Sequence, residues 1–192
     1  MGRVNESDLD WTATEREAAT FRRKRLAAAA GGEDLGCSLY ELPPGERAWP
    51  YHWHAGNEEA IYVLAGAGTI RLDGERRPLR AGDYVALPAG EASAHRVIND
   101  GDEPLRYLAV STMNDPDVLG YPDSGKVGVY AGSPPGSEAP RSLHGYFRED
   151  DAVDYWLDES GDGGAAGGES GDGGAAGDGD DGGDAGGAPG EN

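Results

Sequence analysis

An all-β sandwich or barrel is the fold class that this sequence predicts, on three observations. Between residues 35 and 112, β-branched and aromatic runs recur at roughly 8- to 12-residue intervals with Gly, Pro or Asp-Gly between them. No helical periodicity intervenes, which argues against a parallel α/β sheet. Residues 161–192 are almost wholly Gly, Ala, Asp and Glu, so the chain that can fold ends before them.

Along the chain, residues 1–34 form an N-terminal extension of ambiguous type. Thr14 with Glu17 fits a capping box, but FRRKRL sustains no helical pattern and AAAAGG ends it. The extension is read as a short helix or as an edge strand reaching to a neighbour. The barrel with its C-terminal extension is assigned to residues 35–158, with its core at 35–113. LGCSLYEL (35–42) alternates and stops at PPG; AIYVLAG (60–66) is β-branched and aromatic. TIRL (69–72) runs into Asp73-Gly74, a pair that closes tight hairpins. AGDYVALPAG (81–90), HRVIND (95–100) and PLRYLAVST (104–112) complete the series. From residue 159 a Gly/Asp-rich tail begins, in which ESGDGGAAG occurs twice, at 159–167 and 169–177. It lacks the apolar residues that a calcium-binding β-roll interleaves, so it is expected to be disordered and solvated.

The chain carries 36 acids against 16 bases, a net charge of −20. Such a surface repels phosphate backbones and anionic lipid, which argues against nucleic-acid and membrane partners. The bases are 14 Arg and two Lys (Lys24 and Lys126), a bias that resembles salt-loving archaeal proteins. With Cys37 alone, no intramolecular disulfide is possible. No apolar run reaches membrane-helix length and MGRVNESDLDW lacks a signal core, so a cytoplasmic protein is expected.

Chemistry concentrates in PYHWHAGNEEAIYVLAGAG (50–68). Residues two apart on a strand share a face, so His52 and His54 project together, with Tyr51 and Trp53 opposite. Glu59 opens the next strand in phase with Ile61 and Val63. Two imidazoles and a carboxylate from adjacent strands suit a divalent metal. Of the four histidines, His95 begins another strand downstream.

These residues resemble the cupins. Gly45, His52, His54, Glu59 and Gly66 follow the first cupin motif, and Gly82, Pro88, Gly90, His95 and Asn99 the second, with room for one hairpin between. An extra residue before His52 and two before His95 depart from the pattern; both are assigned to turns, where insertion is tolerated. The resemblance implies a double-stranded β-helix, or jelly-roll. It also implies a ligand set of His52, His54, Glu59 and His95 around a divalent Fe, Mn, Zn or Ni ion. Glu58 is the competing carboxylate; the spacing to Gly66 and strand alternation favour Glu59. STMNDPDVLGYPDSGKVGVY (111–130) and YFREDDAVDYWLDE (146–159) resemble the C-terminal part of single-domain cupins, some described as sugar-phosphate isomerase-like.

Cupins host isomerases, dioxygenases, lyases and binders on one scaffold, so the resemblance leaves the reaction open. A metal-dependent enzyme on a small anionic substrate is expected, of isomerase or dioxygenase type. A non-catalytic, metal-anchored binder or sensor of a small metabolite is the alternative. Arg71, Arg76, Arg77, Arg80, Arg96 and Arg106 concentrate bases in the barrel segment, which suits an anion. Tyr40, Tyr62, Tyr84 and Tyr107 also lie on strands, and Trp49 and Trp53 flank the histidines, as pocket walls or as interface. His144 is read as a surface residue and Asn99 as the support of a turn. Cupin barrels commonly pair through one sheet, and outward Tyr62 and Leu64 suit a homodimer.

Overall fold

Thr12–Arg16 (β1) and Ala19–Arg25 (β2) form an antiparallel hairpin, Thr14 opposite Phe21. The capping-box reading of Thr14 and Glu17 is therefore corrected: Thr14 lies in a strand, and tertiary pairing overrides the local helix signal. The helical content nearby is a single turn, Leu26–Ala29 (α1). This computed structural model describes residues 2–159. Apart from Glu159, the expected acidic tail lies outside the described residues. Met1–Val153 and Asp154–Asn192 form two units. Of the second, only Asp154–Glu159 is described, a turn in which the Leu157 amide donates to the Asp154 carbonyl at 3.0 Å.

The expected strands follow: Leu35–Leu42 (β3), Trp53–His54 (β4), Glu59–Ala65 (β5), Ala67–Leu72 (β6), Glu75–Arg80 (β7), Tyr84–Leu87 (β8), His95–Ile98 (β9) and Leu105–Thr112 (β10). Asp73 (φ 48°) and Gly74 (φ 77°) are both left-handed, as a two-residue hairpin turn requires between β6 and β7. Pro78 sits in β7, the edge of its sheet, where a missing amide is tolerated. Three further strands lie beyond the expected core: Asp117–Tyr121 (β11), Lys126–Ala131 (β12) and Leu143–Arg148 (β13).

The strands form a jelly-roll of antiparallel sheets. One sheet runs β1-β2-β3-β10-β5-β8, so the N-terminal hairpin extends it through β3. The remaining strands form a four-stranded sheet β13-β12-β11-β4 and a three-stranded sheet β7-β6-β9. These two meet at one antiparallel bridge, His52 with His95, a seam in the ladder.

Alternation decides what faces inward. On β5, Ile61 and Val63 are buried while Tyr62 and Leu64 are 43% and 42% exposed. Leu42, Val63, Ile70, Leu79 and Leu105 pack the apolar end of the barrel, and Leu87, paired with Glu59, joins the same buried core. Asn99, buried there, donates from Nδ2 to the Leu42 and Glu103 carbonyls at 2.8 and 2.9 Å and accepts from the Gly101 amide. That supports the turn after β9, as the sequence predicts.

Candidate metal centre

The open end of the barrel is polar. His52 immediately precedes β4 and His54 ends it, Glu59 takes the first position of β5, and His95 the first position of β9. One donor atom from each of His52, His54 and Glu59 lies within 4.8 Å of the others. The Glu59 carboxylate is 3.3 Å from His95 Nε2 and 3.6 Å from His54 Nε2. His52 and His95 have ring centroids 4.8 Å apart. The structure thus brings all four sequence-expected residues together, with the histidines buried. Glu58 is exposed, its amide donating to Thr112 Oγ1 at 3.0 Å, and it takes no part.

Each ring is held through Nδ1 by a group that can only accept. His52 Nδ1 donates to the Pro50 carbonyl at 2.7 Å and His95 Nδ1 to the Ser93 carbonyl at 3.0 Å. His54 Nδ1 donates to Asp117 Oδ2 at 2.6 Å. A ring held this way carries its proton on Nδ1 when neutral and then presents the Nε2 lone pair to the centre. Three such nitrogens and one carboxylate fit Fe, Mn, Zn or Ni.

Electrostatics separates the ligands. Burial, reinforced by the neighbouring His95, pushes the His52 pKa down to about 3. Burial alone would raise Glu59, but the His95 hydrogen bond and the three imidazoles hold it at about 2. For His54, burial works downward, yet Asp117 and Glu59 together raise it above its usual value. His52, held neutral, and Glu59, held ionised, are ready for a metal, whereas His54 must shed its Nε2 proton to bind one.

Both departures from the cupin motif have a structural account. The two residues before His95 lie in the short turn Glu91–Ser93, as expected. The extra residue before His52 does not lie in a turn. Arg47 pairs with Ile98 and His52 with His95, so Trp49, Pro50 and Tyr51 together oppose Arg96 in a bulge. Tyr51 in the bulge is buried beneath Arg71, 3.7 Å from its ring centre, and its hydroxyl accepts from the Gly74 amide at 2.8 Å.

A cavity of about 950 Å³ leads to the four residues. Tyr40 and Tyr107 stack at 5.1 Å on one wall, and the Trp49 indole donates to the Tyr40 hydroxyl at 3.1 Å. Trp53 is no wall; it packs over Gly120, where an added Cβ would meet its ring at 2.2 Å. Tyr62 and Tyr84 face outward. Opposite Tyr40 stands Tyr121, its ring 6.0 Å from His52, followed by Tyr146 and Tyr130, whose hydroxyls lie 2.6 Å apart. His144 is exposed, as expected, but lies at 4.6 Å against Tyr130 at the cavity mouth.

The arginines expected to favour an anion are mostly engaged elsewhere. Arg71 pairs with Asp123 at 2.7 Å, Arg106 with Glu6 at 2.8 Å, and Arg77 and Arg80 with Glu75 and Asp83. Arg76 is exposed on β7. Only Arg96 of that group lines the cavity, together with Arg16, Arg23, Arg25, Lys126 and Arg141. Among the described residues, Arg25 alone of these six pairs with a carboxylate, that of Glu138. The lining carboxylates are Glu33, Glu59 and Glu138. Sequence reasoning found Arg96 but missed the other five, because their placement follows from strand pairing. It also missed Asp117, whose one signal is the alternation of Asp117, Leu119 and Tyr121 along β11.

Residues 38–111 match the family model of the cupin domain. An oxalate-binding protein of Thermotoga maritima is 37% identical over 70 residues, 36% of this chain and 55% of that protein. The chain thus spans about half the length of that curated relative. A solved structure from Acidithiobacillus ferrooxidans, provisionally designated a sugar phosphate isomerase, is 29% identical at a TM-score of 0.68. It covers 77% of this chain and 90% of its own. A cupin-superfamily sugar phosphate isomerase from Silicibacter pomeroyi shares the fold at TM-score 0.67 and 22% identity, over 78% of this chain and 94% of its own. Residues 38–111 carry a cupin domain, and the match and the fold together support the cupin superfamily for this chain.

Proposed function

We propose that the protein is a metal-dependent enzyme acting on a small anionic organic substrate, with His52, His54, Glu59 and His95 as the ligands. The observation that carries this reading is the convergence of three imidazoles and an ionised carboxylate at the end of a cation-lined cavity. When bound there, a divalent ion would polarise a carbonyl or activate oxygen. The chain's own residues do the rest. Arg23 and Lys126 have no carboxylate partner among the described residues and are free to hold a phosphate or carboxylate group. The Tyr40, Tyr107 and Tyr121 phenols offer hydrogen-bond donors along the walls, and burial raises the pKa of the latter two, keeping them protonated.

Within the enzyme reading, isomerisation of a sugar phosphate is favoured over oxygen chemistry. The Acidithiobacillus structure, alike over nine-tenths of its own length, supports it. The test is to strip the protein, reload it with Fe, Mn, Zn or Ni in turn, and follow sugar phosphates by NMR and oxygen by electrode. Turnover of a phosphorylated sugar without oxygen uptake is the expected result. His52→Ala is expected to fold as the wild type and lose metal; unchanged metal content in that variant overturns the site.

A metal-anchored metabolite binder is the second reading, favoured by a wall of phenols and guanidinium groups, which bind rather than transfer protons. Tight binding of sugar phosphates without turnover under any metal would select it. We further propose a homodimer paired through the outer face that carries Tyr62, Leu64 and Tyr84.

A further inference from the structure

We propose that Asp117 is a positioning residue for the metal centre, through which β11 holds His54 with Nδ1 protonated and Nε2 turned to the ion. Its affinity readout rests on the metal-binding reading above; its hydrogen-bond readout does not.

The Asp117 side chain is fully buried. A carboxylate in that position is costly unless every lone pair finds a donor. Asp117 finds three. Oδ2 accepts from His54 Nδ1 at 2.6 Å and from Asn57 Nδ2 at 2.8 Å, and Oδ1 accepts from the Gly56 amide at 2.8 Å. All three donors belong to the segment 54–57, which joins two of the proposed ligands, His54 and Glu59. None comes from β11 itself. Asn57, also buried, is in turn fixed by accepting from the Asn114 amide at 2.7 Å and from Thr112 Oγ1 at 3.0 Å. The loop is packed closely on the carboxylate: a Cβ at Gly56 would lie 3.2 Å from Asp117 Oδ1.

His54 is the odd member of the three histidines. His52 and His95 are oriented by carbonyls two residues away in their own chain segment, neutral groups that any local sequence provides. His54 is oriented by an anion 63 residues away. An anionic acceptor on Nδ1 makes the opposite nitrogen a stronger donor to a cation, and losing such a partner costs roughly 10- to 100-fold in metal affinity. Asp117 also lies outside the matched cupin domain, which ends at residue 111. The barrel therefore borrows from the appended sheet a group that completes its ligand shell from behind.

The experiment uses the full chain labelled with 15N-histidine, as wild type, Asp117→Ala and Asp117→Asn. Imidazole NMR reads the His54 Nδ1–H in metal-free and Zn2+-loaded protein, and calorimetry reads Zn2+ and Mn2+ affinity. Wild type is expected to show a downfield, slowly exchanging Nδ1–H. Asp117→Ala is expected to lose that resonance and bind metal roughly 10- to 100-fold more weakly. Asp117→Asn keeps an acceptor for His54 but cannot serve all three donors, so it is expected to shift the resonance and fall between the two. If Asp117→Ala does not fold, Asp117→Asn decides alone: an unshifted resonance with unchanged affinity overturns the proposal. Asp117→Ala with a wild-type resonance, or with wild-type affinity, overturns it too. A wild type that binds no metal defeats the metal reading. The resonance then still decides whether Asp117 positions His54, and its absence from wild type sinks the proposal.

Discussion

Lone pairs, rather than residue identities, define the candidate site. His52, His54 and His95 each give Nδ1–H to an acceptor, so Nε2 is the nitrogen that each turns to the centre. That arrangement has a consequence for acid stability of the metal-free protein. His52 stays neutral down to about 3, while in the unfolded chain it binds a proton below its ordinary 6.5. Between those values the unfolded state holds more protons, so stability falls as pH drops through the window, by on the order of a few kcal/mol. Glu59 acts in the same direction from its ordinary 4.5 down to about 2. His54 acts the opposite way: its raised value adds stability that is present below 6.5 and lost as pH rises through the folded value. Urea midpoints of metal-free protein are therefore expected to drop between pH 6 and pH 4. His52→Gln, which cannot take up a proton, should flatten that slope; an equal slope in the variant would discount His52 as its source.

Among the elements, β4 shows how a two-residue strand can be decisive. Its ladder partner β11 matches Leu119 to His54 and Gly120 to Trp53. Gly120 has no side chain because the Trp53 indole occupies the space, with ring atoms 2.2 Å from an added Cβ. Gly120→Ala is expected to cost about 1–3 kcal/mol through forced displacement of the ring, seen as a lower melting temperature. Weaker metal binding should accompany it, because Trp53 adjoins both histidines. Most strands in this molecule were legible: LGCSLYEL became β3 residue for residue, and Asp73-Gly74 closed its hairpin. The β1–β2 hairpin was legible only as the edge-strand half of an open choice, because TATEREAAT carries helix-start residues and its strand character comes from pairing with Arg22 and Phe21. The bulge at Trp49–Tyr51 was hidden for a similar reason. Counting residues between Gly45 and His52 finds an insertion but cannot tell a turn from a bulge that opposes Arg96.

Taken whole, the chain is acidic, yet the charged lining of its cavity is mainly basic. A chain of net charge −20 lines its cavity with six cations against three carboxylates. The ligand positions were legible because motif spacing is local. The cation lining was not, since Arg71 and Arg106 look equally available in sequence until Asp123 and Glu6 arrive to pair with them. The outer face of β5 and β8 is the other large-scale feature, with Tyr84 66% exposed beside Tyr62. A charge there should split the proposed dimer: Tyr84→Glu is expected to halve the mass seen by light scattering without shifting the melting curve of the monomer. A monomeric wild type would refute the pairing.

The seam between the two smaller sheets has one further consequence. There the ladder is reduced to the reciprocal pair formed by the His52 amide with the His95 carbonyl at 3.2 Å and the His95 amide with the His52 carbonyl at 2.8 Å. Two proposed ligands are thus also the stitch that joins one half of the wall to the other. An ion gripping both rings would act as a rivet across the stitch, so the slow breathing of the wall becomes a gauge of occupancy. Amide exchange at His52 and His95 should be fast in stripped protein and slow sharply on loading, while the apolar-end amides of Val63 and Leu105 hold their protons equally long in both states.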